Sequence, residues 1–244
     1  MTLIAGIILP KGILMVSDTR SLETKTNNVA NEYKRKITFL TPTVILGTAG
    51  QENTFRTAEV LRHALYPNHD NLTIDSQRDS IINLYKHVNS LHINDQPQLE
   101  YVGDILMAEL DKEKNTYKLL YSSGSDEFNG YTIYNQVKDV VLIGADIHIQ
   151  NNVQSKIEAF LNSLSIQELN DTLIYDRLAK KCGQIFIEQA ASYYGMNNKQ
   201  YCVYLSMTED NFPGNAVFLQ DNNTKHHSLS HTEDGPTIII PNEG

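Results

Sequence analysis

Apolar residues recur along this chain with two periods, and the period switches in blocks. Residues 2–9 and 12–17 are short β-branched and apolar runs separated by Pro10-Lys11-Gly12, which predicts a hairpin. A polar stretch over 22–35 follows, and then two further strand-like runs, 36–40 and 43–47, flank Thr41-Pro42. After Gly50-Gln51-Glu52-Asn53, the positions Phe55, Ala58, Leu61, His63 and Leu65 fall at helical spacing, ending at Tyr66-Pro67-Asn68. A second helix is predicted over 76–93, where Ile81, Leu84, Tyr85, Val88, Leu91 and His92 repeat every 3.6 residues. Strand patterns return over 104–110, 117–122 and 137–143, helical ones over 153–163 and 173–194, and strands over 201–207 and 216–219. Helices that come in pairs cannot act as single crossovers between parallel strands. The packing this order predicts is α+β, with two antiparallel sheets face to face and a helix layer outside each, a four-layer αββα sandwich.

Length and composition fix the setting. The chain has 244 residues, 41% of them hydrophobic, enough for one domain with a substantial core, expected over 1–221. Residues 222–244 read as a polar, His-rich tail, interrupted only by the apolar 237–240. A formal charge of −9 argues against a nucleic-acid surface, which needs clustered cations. No apolar run approaches the roughly 18 residues of a membrane span and no signal peptide opens the chain, so a cytoplasmic protein is expected. The two cysteines, Cys182 and Cys202, lie in apolar contexts and read as buried reduced thiols.

Candidate chemistry concentrates in the first fifty residues. A threonine hydroxyl is a poor nucleophile without a base, and an N-terminal threonine carries one in its own α-amine, with a reference pKa near 8. Thr2 qualifies once Met1 is removed. Asp18 ends the strand that a tight hairpin folds back beside Thr2. Lys36, in Tyr33-Lys34-Arg35-Lys36-Ile37, is placed to stay charged next to Asp18 and to lower the pKa of the Thr2 hydroxyl. Lys34 is the alternative for that role. Leu46-Gly47-Thr48-Ala49-Gly50 joins a strand to a helix, where the Gly50 N–H could meet a developing oxyanion.

Thr2, Ser17-Asp18-Thr19-Arg20, Lys36-Ile37 and Gly47-Thr48-Ala49-Gly50, in this order, resemble the β-subunits of the proteasome and their bacterial peptidase relatives. These are N-terminal nucleophile hydrolases with an αββα sandwich. The likeness spans roughly residues 2–207 and is specific over about the first 65. It implies Thr2 as nucleophile and base, Asp18 and Lys36 as the charge pair, and Gly50 as oxyanion donor. By the spacing from Asp18, Lys34 lies nearer the family's lysine position; Lys36 is preferred because Ile37 begins the strand. The resemblance further implies a peptide or protein substrate, no cofactor or metal, a homo-oligomer such as a ring, and an ATP-dependent unfoldase as a candidate partner. The second half departs from the pattern. Ile143-Gly144-Ala145-Asp146 lacks the family's serine, and Ser192-Tyr193-Tyr194-Gly195-Met196 lacks its aspartate. A non-catalytic assembly subunit, like the proteasome α-subunits, is therefore the competing expectation.

The remaining signals read as structure. His226, His227 and His231 lack the carboxylate or cysteine that would complete a metal site. Ser123-Gly124-Ser125-Asp126 lacks the lysine and helix of a phosphate-binding loop and reads as a turn. His63, His87 and His92 are expected to be packed on helices. Thirteen tyrosines and no tryptophan fit interfaces with one wet end.

Overall fold

The computed structural model describes residues 2–23, 26–95, 101–221, 224–227 and 237–238. Its elements in chain order are β1 (Leu3–Leu9), β2 (Gly12–Asp18), β3 (Ser21–Leu22), β4 (Val29–Asn31), β5 (Ile37–Thr41), β6 (Val44–Gly50), α1 (Glu52–Leu65), α2 (Ile74–Asp95), β7 (Gly103–Asp111), β8 (Thr116–Ser123), β9 (Thr132–Tyr134), β10 (Val140–Gly144), α3 (Ile147–Ser163), α4 (Ile166–Leu169), α5 (Ile174–Ala190), β11 (Lys199–Met207), β12 (Pro213–Asp221) and β13 (Thr224–His227). The fold is α+β. A six-stranded sheet runs β10-β1-β2-β11-β12-β13 and a five-stranded sheet runs β5-β6-β7-β8-β9, with β3 and β4 forming a short ribbon. Every pairing in the two large sheets is antiparallel.

The near-continuous apolar reading of β1 and β2 has a direct cause, because both faces of these strands are covered. Leu3, Ala5, Ile7, Leu14 and Val16 share a core cluster with Val153, Ile157 and Leu161 of α3 and Leu178, Cys182 and Phe186 of α5. The alternate positions Ile4, Ile8, Ile13 and Met15 join Ile37, Phe39 and Ile45 of the other sheet, together with Leu106, Ala108 and Leu119. A third cluster sets Leu40, Val44, Leu46, Ile105 and Met107 against Ala58, Leu61 and Leu65 of α1 and Ile81 and Tyr85 of α2. Period-2 alternation thus sends successive residues of one strand into different cores. Both cysteines are fully buried and unpaired. Burial pushes the Cys182 thiol up to about 12 and raises Cys202 as well, which leaves both unreactive.

Two of the three helical histidines correct the sequence reading. His63 and His87 are exposed, and only His92 is buried. Helix α1 buries Thr54, Thr57, Ala58, Leu61, Arg62 and Leu65, so its inner face keeps Ala58, Leu61 and Leu65 of the apolar pattern but replaces Phe55 and His63 by the residues before them. Arg62 takes the place expected for His63. Its Nη1 donates to the Phe39 carbonyl at 2.5 Å, and its guanidinium lies 4.3 Å from the Tyr66 ring centroid. The inner stripe of α2 is Gln77, Ile81, Tyr85, Asn89 and His92, which passes His87 by. Leu91, counted in the apolar repeat, is exposed.

Helix α3 starts earlier than predicted, at an N-cap where the Asp146 carboxylate accepts from the His148 N–H at 2.8 Å. Helix α4 opens on a Ser165–Glu168 capping box. Residues 124–126 form a single 3₁₀ turn. Beyond residue 221, β13 extends the six-stranded sheet by pairing with β12. Thr237 bridges Lys34, and the Ile238 N–H donates to the Tyr33 carbonyl at 2.8 Å with its side chain in the core between the sheets. His231, Ile239 and Ile240 lie outside the described residues, as does the side chain of His227. No helix among the described residues is long and apolar enough to cross a membrane.

One polar contact stands out against the second sheet. Arg78 of α2 donates through Nε and Nη2 to both oxygens of Glu109, at 2.7 and 2.6 Å, and Glu109 is almost fully buried in β7. Removing one side of such a pair strands the other charge, so Arg78→Ala is expected to lower unfolding stability by about 3 kcal/mol. Urea denaturation checks this, and the double variant Arg78→Ala/Glu109→Leu should recover much of the loss.

Candidate active site

The site begins with the register of the first hairpin. In the β1–β2 ladder Ile4 opposes Ser17, which leaves Leu3 beside Asp18 at the open end. The Leu3 N–H donates to Asp18 Oδ1 at 2.8 Å, so the carboxylate is fastened one residue from Thr2. Lys36 stands immediately before β5. Its Nζ lies 2.9 Å from Asp18 Oδ1 and 2.8 Å from Oδ2. The Arg20 N–H reaches Oδ2 at 3.2 Å. Thr2 is 5% exposed, Lys36 1% and Asp18 0%. Asp18 tolerates that burial because four donor contacts satisfy its oxygens. Burial presses the Lys36 ammonium pKa down, the attraction of Asp18 opposes the shift, and repulsion from Lys34 and Arg20 adds to it, leaving it below the usual lysine range.

Lys34 is engaged elsewhere. Its Nζ lies 3.1 and 3.2 Å from the two Glu52 oxygens and 4.9 Å from the Phe55 ring centroid, both in the first turn of α1. Lys34 and Lys36 are two positions apart and would share a face on a regular strand. They separate because β5 begins only at Ile37, and the backbone before it is irregular with a lone bridge at Lys34.

Gly50 closes β6 opposite Gly103, which opens β7. It lines a cleft of about 310 Å³ with Ala49, Gln51, Tyr101, Gly103, Asp104 and Gly144. Gly144 connects this cleft to Thr2. Its φ is +101°, and a Cβ there would sit 2.0 Å from the Thr2 carbonyl oxygen and 3.1 Å from the Ala49 Cβ. Only glycine permits that crossing. Asp18 thus contacts both Lys36 and the start of β1, and Gly144 lies between Thr2 and Ala49, the residue before Gly50.

Several residues of the site escape sequence reasoning. Asn197, in the loop after α5, accepts from the Thr19 N–H through Oδ1 at 3.2 Å and donates through Nδ2 to Glu32 Oε2 at 2.7 Å and to the Glu32 carbonyl at 3.0 Å. Arg20 donates to Glu32 Oε1 at 3.1 Å and to the Tyr194 carbonyl at 2.7 Å. Burial works against a charged Glu32, but bonds from Asn197 and Arg20 outweigh it and hold the carboxyl below its ordinary value. The segment 192–196 brings the Tyr194 carbonyl to Arg20. The only sequence signal for this clamp is the polar Asn197-Asn198 pair before an apolar strand. Among the described residues no group of His, Cys, Asp and Glu side chains could hold a metal ion.

A comparison of the chain with protein-family models found no match, and neither did a comparison with curated proteins.

Asp18→Asn tests the electrostatics. It leaves the Lys36 ammonium buried without its counter-charge, a change expected to cost about 3–5 kcal/mol near neutral pH. Because the folded pKa of Lys36 is depressed, the unfolded chain binds the extra proton. Stability of the variant should therefore rise as pH increases from the folded pKa toward the unfolded value near 10.4. Denaturation curves at stepwise alkaline pH check the sign.

Proposed function

We propose that the chain is an N-terminal threonine hydrolase acting on peptide or amide bonds, built on the four-layer αββα sandwich that its sheets and three cores are compatible with. The observation that carries the reading is the fully buried Asp18–Lys36 pair, tied by the Leu3 N–H to the residue after Thr2. A buried ion pair returns little stability compared with apolar packing. Its position next to a potential nucleophile gives it a chemical use.

After loss of Met1, Thr2 Oγ attacks the carbonyl carbon while its proton passes to the neutral Thr2 amine. The tetrahedral oxyanion faces the Gly50 N–H. The C–N bond then breaks, the leaving amine takes the proton, and an ester remains on Thr2. Water, deprotonated by the same amine, releases the acid and restores the hydroxyl. Lys36 stabilises the developing alkoxide, and Asp18 keeps Lys36 charged despite its burial. Cations near the site also favour the neutral amine at working pH. No step calls for a metal or organic cofactor. A cytoplasmic homo-oligomer that sequesters Thr2, fed by an unfoldase, accords with this chemistry, because an open site would cut passing chains.

The competing reading is a non-catalytic assembly subunit. It draws on one observation: the loop after α5 brings the Tyr194 carbonyl to Arg20, in the segment where the resemblance expects an aspartate.

Intact mass and turnover together decide between them. The hydrolase should lack Met1, and Thr2→Ala should abolish hydrolysis of fluorogenic peptides without lowering thermal stability. Lys36→Met should slow turnover at least about 100-fold, whereas Lys34→Met should have a far smaller effect. Retention of Met1, or turnover that survives Thr2→Ala, would remove the threonine mechanism. Sedimentation at micromolar concentration tests assembly separately.

A further inference from the structure

The cleft beside Gly50 has an unusual lining. Gly50, Gly103 and Gly144 contribute backbone alone, and all three have positive φ. A Cβ on Gly103 would lie 2.0 Å from the Ala49 carbonyl oxygen, so the ends of β6 and β7 approach as only glycines allow. The single charged side chain on the wall is Asp104. Its Oδ1 accepts from the Ser123 Oγ at 2.6 Å, and Ser123 Oγ lies 2.8 Å from the Ser125 Oγ. Among the described residues no lysine or arginine pairs with Asp104, in contrast to Asp18, Glu109 and Glu32. Burial raises its carboxyl above the ordinary range, opposed only by the Ser123 hydrogen bond. The exposed ring of Tyr101 stands at the mouth, and Gln51 adds an amide.

We propose that this cleft binds a cationic group, a primary ammonium or a guanidinium, with Asp104 as its counter-ion and Tyr101 as its aromatic rim. A carboxylate with one oxygen hydrogen-bonded and an aromatic ring beside it offer an acceptor and negative potential, which suit a cation. The volume lies at the small end of ligand pockets and fits one side chain. Asp104 faces Ala49 across the β6–β7 ladder, Ala49 abuts Gly144, and Gly144 abuts Thr2. The cleft's service as a specificity subsite, selecting substrates with lysine- or arginine-like side chains, rests on the threonine-hydrolase reading; cation binding does not.

The test uses the full chain carrying Thr2→Ala, so that binding is measured where nothing is turned over. Calorimetric titration compares acetyl-arginine amide, acetyl-lysine amide, uncharged acetyl-glutamine amide and agmatine. The cationic amides are expected to bind at least about tenfold tighter than the glutamine amide, and Asp104→Asn should erase that preference. Agmatine binding as tightly as the arginine amide would mark a site that reads the cation alone; weaker binding would mark one that also reads a peptide amide. Tyr101→Ala, on an exposed side chain, should weaken the cations several-fold, and added salt should do the same, which keeps the test open if Asp104→Asn fails to fold. An equal affinity for the glutamine amide, or a preference that survives Asp104→Asn in folded protein, would overturn the proposal. Because Thr2 is absent throughout, its role as nucleophile stands or falls separately.

Discussion

Two full charges sit in contact where almost no water reaches. Asp18 and Lys36 come from different sheets, the first ending β2 and the second preceding β5, so their pairing fixes how the two sheets meet at this end. The cost of burying an ammonium and a carboxylate is several kcal/mol per ion before their attraction is counted. The hairpin and Arg20 offset part of it by donating backbone N–H groups to the carboxylate. The pair therefore depends on the β1–β2 register, which in turn is fixed by both faces of β1 being buried, since a slip by one residue would exchange its two cores.

Around that pair the segments that lack regular structure are held by side chains. Thr19, Glu32 and Asn197 bond one another, and Arg20 closes the ring to Tyr194 and Glu32. Each of these groups borders Asp18 in sequence or contacts a residue that does. The consequence is a carboxylate whose backbone neighbours cannot move independently of the loop after α5. Lys34 adds a second tie, joining the approach to β5 to the first turn of α1 through Glu52, where a carboxylate also suits the helix dipole.

What was legible in the sequence followed from periodicity. The central strands of both sheets and the long helices declare themselves by spacing, because each buries at least one face, whereas the edge strands β9 and β13 do not, β9 being largely exposed. Asp18 beside the start of β1 was readable from a hairpin with a short turn, and Lys36 from the strand that Ile37 opens. Arg62 was not, because a guanidinium whose donors reach a backbone carbonyl and whose plane lies over Tyr66 can fill a core position that hydropathy assigns to its neighbour His63. The start of α3 escaped because the cap that opens it, Asp146, stands before the helix's buried positions Val153, Ile157 and Leu161 and follows no apolar period. The contacts of Asn197, Glu32 and Asp104 were not legible for a different reason. Their partners are up to 178 residues away in sequence, and no local pattern encodes a long-range polar contact.

The charges around Thr2 are arranged unevenly, and the unevenness bears on what the site can do. On the Asp18 side burial presses the Lys36 proton affinity down, Asp18 opposes that shift, and the charges of Lys34 and Arg20 add a smaller push in the same direction as burial. On the Asp104 side a carboxylate has no cation near it among the described residues. A field of this kind lowers the affinity of a nearby amine for protons at one end while favouring a positive group at the other. A cation in the cleft would then complete Asp104, whose neighbours among the described residues include no lysine or arginine. The glycine at 144 is what lets β1 begin beside the cleft, since any side chain there would strike the Thr2 carbonyl and push Thr2 away from Ala49 and the cleft it lines.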